Sequence, residues 1–379
     1  MSRALEGVLV LSLEQAVAAA YCSSRLADAG ARVIKIERRE GDFARFYDRA
    51  IGEVSSYFAW VNRGKQSLVA DIKEPADVAL LHAILARADV FIQNLAPGAA
   101  ARAGFDSIAL RVRYPRLITL DVSGYGDAGE YAGMKAYDLL VQAESGLAAI
   151  SGHPAGPGRI GVSVCDIACG MSAHAAILEA LIERARTGVG QGVKVSLFDA
   201  VADWMSVPLL QYEASGREPP RVGLAHPTIA PYGAFTTADG ARVLIAIQSE
   251  REWGDFCVHF LKDPELPRQA GFDSNVSRVA NRAAVDARIA AVFSRHTRAQ
   301  VIEELRRANT AFGFVNDMHG LARHPALRRT RVATAAGPLD LVAPAAHFSD
   351  AGARALGAVP AIGEHSAAIR AEFGVRQQA

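Results

Sequence analysis

The chain has 379 residues, 50% of them hydrophobic and 21% charged, with a formal net charge of +1. That length allows two domains and a core that needs no disulfide support. The near-neutral balance gives no global field to draw nucleic acid or a membrane surface, and neither is expected as a partner.

Residues 8–13 (VLVLSL) read as a buried strand. The alanine-rich stretch 15–28 reads as a helix that ends at Ala29-Gly30, where Gly30 can take a left-handed cap. Residues 32–37 (RVIKIE) form a second strand and complete a βαβ unit. Strands at 66–72, 89–93 and 117–123, with a helix over 75–87, continue the alternation. A long helix follows over 166–186, then a strand at 193–197 and a helix from Asp199. This order predicts an α/β fold with a Rossmann-like, mainly parallel sheet covered by helices on both faces. The composition shifts near 213. Residues 213–240, rich in proline and glycine, read as a linker or an irregular crossing. A second region begins with a strand at 243–247 and carries helices over 250–261, 284–295 and 298–308. Residues 312–345 are mixed, and the tail 360–374 holds an apolar segment and a helix.

Cys22, Cys165, Cys169 and Cys257 form no C-x-x-C pair, and the ten histidines form no H-x-x-x-H pattern. No metal is therefore expected. The start, Met1-Ser2-Arg3-Ala4-Leu5-Glu6, lacks the charged and apolar regions of a signal peptide. No apolar run is read as reaching the ~18 residues of a membrane span. The expected location is cytoplasmic.

The first βαβ unit invites a nicotinamide-cofactor reading. The pyrophosphate of such a cofactor needs glycines at the first strand–helix turn. In this chain that turn is Leu13-Glu14-Gln15-Ala16-Val17-Ala18, with no glycine and with an added negative charge.

Several stretches keep a common order over residues 5–205. They are 26–38 (LADAGARVIKIER) with Gly41-Asp42 and Arg45, 62–73 (NRGKQSLVADIK), 93–105 (QNLAPGAAARAGF), 162–181 (VSVCDIACGMSAHAAILEAL) and the run from Thr187-Gly188 to Asp199. Together they resemble the class III CoA-transferases (CaiB/BaiF), the family that includes formyl-CoA transferase and the carnitine CoA-transferases. The segment PRVGLAHPTIAPYGAF that starts at Pro220, and QSEREW at 248–253, are most similar to members acting on mesaconate, citramalate and related C4–C5 dicarboxylates.

The resemblance implies a large domain over 1–212, a smaller α+β domain over 213–325, and a C-terminal segment 326–379 that returns to the first. It also implies an interlocked homodimer. No tightly bound cofactor is implied; coenzyme A enters as acyl-CoA substrate beside a carboxylic acid. Asp166 falls on the family's catalytic aspartate. By the same resemblance Gln15, Ala16 and Val17 line the pantetheine path, with position 15 a departure from the family pattern. Arg38 and Lys73 match residues at the nucleotide end. Asn94, Arg102 and Lys135 match segments that touch the pyrophosphate and pantetheine.

The chemistry of CoA exchange agrees with a carboxylate nucleophile. Attack on the thioester carbonyl gives a mixed anhydride and CoA thiolate, which keeps the thioester's energy from hydrolysis. Such a reaction needs a water-poor site and donors for each tetrahedral oxyanion. Asp166 follows an apolar, strand-like run (Ile160 to Val164), and a helix is expected to start near Ile167, so helix N–H groups would hold it ionised. Gly170 would leave room close by. Read locally, Asp166 fits an ordinary helix N-cap equally well. A dicarboxylate also needs a reader for its unreactive end. His226, Arg45 and Arg221 are candidates, with Tyr47 and Gln248 as further pocket residues.

Two other functions share the scaffold. An acyl-CoA racemase needs an acid and a base on opposite faces of the α-carbon. By resemblance the racemases carry a His-Asp pair where this chain has Tyr137-Asp138, and tyrosine is a poor base at neutral pH. A non-catalytic CoA-binding protein would tolerate loss of Asp166.

Overall fold

Six short strands run parallel in one sheet: β1 (Leu9–Leu13), β2 (Arg32–Glu37), β3 (Gln66–Val69), β4 (Val90–Gln93), β5 (Ile118–Ser123) and β6 (Gly192–Ser196). Their spatial order is β3-β2-β1-β4-β5-β6, and every neighbouring pair is parallel. β1 is central and buried at all its positions, as a strand covered on both faces must be. The chain winds outward from β1 in both directions. The switch point is therefore the gap between β1 and β4, where open α/β sheets leave a crevice at the strand ends. This is a computed structural model, and it describes residues 3–349 and 355–374. The expected C-terminal segment 326–379 thus lies partly outside the described residues, as do Met1 and Ser2 at the start of the chain.

The chain forms two compact units. One contains Met1–Leu147, Arg159–Leu209 and Arg328–Ala379; the other contains Ala148–Gly158 and Leu210–Leu327. The expected division omitted the short piece 148–158. It belongs with the second unit because Gly223 N–H donates to the Gly152 carbonyl at 3.0 Å and Arg221 Nη1 to the Ala149 carbonyl at 3.0 Å.

The first unit is a layered α/β structure. The helices that matter for the site are α1 (Ala18–Asp28), α2 (Ser56–Asn62), α3 (Pro75–Leu85), α4 (Ala99–Arg102), α5 (Ser107–Arg113), α6 (Asp138–Glu144), α7 (Val164–Thr187) and α8 (Leu197–Trp204). Side chains alternate across a strand. Val10, Val33, Val90 and Leu120 therefore meet α1 and α7 on one face. Leu11, Ile34 and Phe91 meet α3, α5 and Phe373 of the C-terminal helix on the other. α1 starts at Ala18 rather than at 15, because Ala16 sits at φ +59° and cannot continue a right-handed helix.

α7 packs along α1 through a small-residue crossing. A Cβ on Gly170 would lie 2.7 Å from the Ala18 carbonyl oxygen and 3.0 Å from Tyr21 Cβ. Glycine is therefore required by the helix contact, and the space expected there for substrate belongs to α1. The reading that no segment is long and apolar enough to cross a membrane is corrected by α7. Its 24 residues contain an 18-residue window of mean hydropathy 1.4. Its Ala168, Cys169, Ala173 and Ile177 are buried in the sheet's core layer.

Beneath the strand ends lies a buried set of charges. Glu14 accepts from Lys65 Nζ at 2.5 Å, Ser12 Oγ at 2.5 Å and Ser23 Oγ at 2.6 Å, with Lys35 Nζ at 3.5 Å. Lys35 also donates to Asp42 at 2.8 Å, and Arg45 forms a two-point bond to Glu37 at 2.8 Å each. The Glu14, Lys35 and Lys65 side chains are fully buried. Burial alone would raise the Glu14 pKa; Lys65 and Lys35 outweigh it and hold the carboxyl at about 2.

The exposed edge of β3 is closed by the chain's own tail. His365 N–H donates to the Ser67 carbonyl at 3.1 Å, Ser366 Oγ accepts from Val69 N–H at 3.0 Å, and Arg370 Nη2 donates to the Val69 carbonyl at 2.9 Å. These groups replace the ladder of a further strand and cover an edge that would otherwise invite pairing.

The second unit is an antiparallel sheet of Tyr232–Thr236, Arg242–Ala246 and Ala311–Phe314, with Arg242–Ala246 in the middle. Trp253, Phe256, Phe260 and Phe293 form its aromatic core. The first strand falls inside the expected linker 213–240. Pro231 and Gly233 disguise it, yet its buried residues alternate as a half-covered strand requires.

Replacing Glu14 with Ala would leave Lys65 buried beside Lys35 with no carboxylate of its own, while Lys35 keeps Asp42. We expect a loss of about 3–5 kcal/mol in chemical denaturation. The native carboxyl titrates below its usual 4.5, so its stabilising contribution is complete above pH 4.5. It disappears as pH falls toward 2, and a Glu14→Gln variant should lack that acid-dependent component. Gly170→Ala should lower stability by about 1–3 kcal/mol through overpacking against α1.

Candidate active site

Parallel strands place all their carboxyl ends on one edge. The loops that leave this edge carry every residue matched to CoA binding. Gln15, Ala16 and Val17 follow β1, Arg38 follows β2 and Lys73 follows β3. Asn94 follows β4 with Arg102 at the end of α4, and Lys135 lies between β5 and α6. Arg38, Lys73, Arg102 and Lys135 are exposed and have no carboxylate partner among the described residues. Unpaired cations on one rim can meet phosphate groups. Asn94 has a different immediate task. Its Oδ1 accepts from Gln15 N–H at 2.9 Å and its Nδ2 donates to the Gln15 carbonyl at 2.8 Å, tying β4 to the loop after β1.

Asp166 is the third residue of α7 and is half-buried. Gly170, one turn further on the same face, touches the carbonyl of Ala18 at the start of α1. His174, one turn beyond Gly170, feels the charges of Arg25 and Asp28 at the other end of α1, so the two helices run in the same sense and Asp166 lies toward the start of α1. Two expectations about its setting are corrected. Residues 158–163 form no strand, and the helix begins at Val164, so Asp166 is inside the first turn rather than at a strand–helix junction. The end-of-helix N–H groups go to Asp138 instead. Asp138 Oδ1 accepts from Cys165 N–H at 2.8 Å and from Asp166 N–H at 3.4 Å. Asp166 is thus no N-cap, and it is not held ionised by those amides. Burial, aided by the negative charge of Asp138, pushes its pKa up from 3.8 to about 7.

Asp138 is itself fixed by Gln142, one turn along α6. The Gln142 amide donates to Asp138 Oδ2 at 2.7 Å, and its oxygen accepts from Ile160 N–H at 2.9 Å. The entry to α7 is therefore set by a pair of side chains on α6. Sequence reasoning missed both roles, although Asp138 and Gln142 lie at the i, i+4 spacing of one helix face.

Aromatic side chains collect on the same unit. Tyr47 lies edge-on to Tyr57 at 5.4 Å and 5.7 Å from Phe43, and all three are exposed. Partial burial, then the charges of Asp42 and Asp166, push the Tyr47 phenol up to about 12. Tyr47 is thus within electrostatic reach of Asp166 and remains a neutral donor at physiological pH.

The candidate carboxylate readers separate. The Arg45 fork is occupied by Glu37, stacks 3.6 Å over the Phe58 ring and donates to the Pro360 carbonyl at 3.1 Å. It is a scaffold residue, and the expectation that it reads a substrate carboxylate is corrected. His226 belongs to the second unit, where its ring stacks on Tyr232 at 5.3 Å and its Nδ1 accepts from Thr228 N–H at 3.2 Å. Arg221 and Gln248 also belong to that unit. Cys22, Cys165 and Cys169 are buried core thiols, and no group of metal-ligating side chains occurs among the described residues.

The sequence model of CoA-transferase family III matches residues 5–366. An acetyl-CoA:oxalate CoA-transferase from Acetobacter aceti is 34% identical over 84% of this chain and 82% of its own length. A succinate–glutarate CoA-transferase from Agrobacterium fabrum is 37% identical over 74% of this chain and 72% of its own. A succinyl-CoA:mesaconate CoA-transferase from Haloarcula hispanica is 34% identical over 76% and 74%. The crystal structure of a CaiB/BaiF family protein from Brucella suis superposes with a TM-score of 0.80 at 33% identity, covering 98% of this chain and 100% of that one. With its family match running through both compact units, the chain belongs to CoA-transferase family III and is an enzyme of the CoA-transferase type.

Proposed function

We propose that this enzyme moves CoA between C4–C5 dicarboxylates such as mesaconate, citramalate or succinate, through covalent intermediates on Asp166. The observation that carries the reading is the half-buried Asp166 carboxyl in the first turn of α7, the helix that packs on the start of α1 at Gly170. Relatives that act on oxalate, glutarate and mesaconate support the dicarboxylate class.

In the first step a carboxylate oxygen of Asp166 adds to the thioester carbonyl. Collapse expels CoA thiolate and leaves an aspartyl–acyl anhydride. The thiolate then attacks the aspartyl carbonyl, releasing the donor acid and leaving an aspartyl-CoA thioester. The acceptor carboxylate reverses the sequence. It displaces thiolate to form a second anhydride, and the thiolate takes the new acyl group and frees Asp166. No step consumes water, and partial burial of the nucleophile limits its access. The neutral Tyr47 phenol is a candidate donor to a tetrahedral oxyanion.

The enzyme is proposed to act as a homodimer. Helix α9 (Ser206–Ser215) buries none of its residues in the single chain and exposes Val207, Leu210 and Tyr212. A second copy of this chain would cover such a face.

Asp166→Ala should lower turnover by at least about 10³-fold while CoA still binds in titration calorimetry. Retained turnover would end this reading. Solvent deuterium taken up at the α-carbon without an acceptor acid would instead mark an epimerase. The nucleophile must be ionised, and its pKa in the free enzyme is raised to about 7. The kcat/KM profile should therefore climb with pH and level off above 7. Asp138→Asn removes one cause of the shift, so the rising limb should move to lower pH.

A further inference from the structure

Ala16 is an alanine in a conformation that suits glycine, with φ +59°. It persists because side chains hold the peptide groups around it. Asn94 fixes both backbone groups of Gln15. Asp42 Oδ1 accepts from Ala16 N–H at 3.2 Å and from Ala44 N–H at 2.9 Å. The other Asp42 oxygen takes Lys35 Nζ at 2.8 Å. The Lys35 and Asp42 side chains are 0% and 1% exposed, so this carboxylate has no surface to offer a substrate. Its direct grip is on the backbone at Ala16 and Ala44, and its charge also reaches Tyr47, so rescue by glycine at position 16 is what separates the turn from that charge. Immediately after Ala16 come Val17 and Ala18, and the Ala18 carbonyl abuts Gly170, one turn from Asp166. A change of φ at Ala16 therefore swings the segment that flanks the nucleophile.

We propose that Asp42 is a positioning residue for CoA transfer, fixing the left-handed turn at Ala16 so that the thiol end of CoA meets Asp166. This rests on the reading of Asp166 as nucleophile. Of the exposed cations matched to CoA, Lys73 lies after β3, outside both the turn at Ala16 and the loop after β2 that carries Arg38 and Asp42. Loss of Asp42 should therefore lower turnover more than it weakens CoA binding.

The test uses the full chain with Asp42→Asn, alone and combined with Ala16→Gly, and a separate Ala16→Val variant. Thermal unfolding confirms that each is folded. Asp42→Asn should lower kcat on the order of 10- to 100-fold, the scale of a small misplacement at a reacting centre, with the Kd for CoA little changed. Adding Ala16→Gly should recover at least about threefold of that kcat, because glycine adopts the turn unaided. Ala16→Val, which leaves the Asp42 bonds untouched, should lose kcat by a similar factor because a β-branched residue resists positive φ. If Asp42→Asn fails to fold, the Ala16→Val result decides. The proposal is overturned if the folded Asp42→Asn variant keeps native kcat, if its loss appears equally in CoA affinity, if glycine at 16 gives no recovery, or if Ala16→Val turns over normally. None of those results touches the nucleophile, whose own failure would be native turnover in Asp166→Ala.

Discussion

The Glu14 carboxylate, buried between two lysines at the end of the central strand, is the interaction on which the rest of the site depends. Three acids (Glu14, Glu37, Asp42) and three bases (Lys35, Lys65, Arg45) meet there with almost no exposed surface. Burial of so many charges is unfavourable unless each is paired and bonded. In this network they are, with Ser12, Ser23, Ser67 and Asn62 supplying further bonds. Burial and the charge of Lys35 pull Lys65 down to about 8, even though Glu14 opposes both. The network anchors the loops after β1 and β2.

A second electrostatic arrangement governs Asp166, the proposed nucleophile. Asp166 sits in the first turn of a 24-residue helix, where the helix dipole favours a negative charge. Asp138 takes the nearest amide donors and adds its own charge beside Asp166. The balance leaves a carboxyl that titrates near neutrality. A carboxylate of ordinary acidity would be a weaker base toward a carbonyl, so raising the pKa serves a nucleophile as long as it still ionises at working pH.

Much of the large unit was legible in the residues. The strand RVIKIE lies at 32–37 as read, because a run rich in β-branched residues suits a strand buried on both faces. The loops after the strands were also legible as a place, since parallel strands force their ends together. The charge network was not. Glu14, Lys35 and Lys65 are far apart in sequence and look like surface residues until the sheet brings them together. Asp166 is singled out by resemblance alone, and its local setting differs from the one its neighbours suggest. The run Ile160 to Val164 looks like a strand by composition, whereas the buried Gln142 side chain holds it as an irregular entry to α7. Arg45 failed for a related reason: an arginine after Gly41-Asp42 reads as available until Glu37 is seen to occupy it. The strand Tyr232–Thr236 was hidden because proline and glycine dominate its surroundings.

What Asp166 carries during turnover decides whether it is the nucleophile. Enzyme quenched in the presence of an acyl-CoA and a dicarboxylate, digested and mapped by mass spectrometry, should show CoA attached as a thioester within the peptide that contains Asp166. Hydroxylamine should convert that same residue to its hydroxamate. An adduct on any other side chain, or turnover with no adduct at all, would contradict covalent catalysis by Asp166.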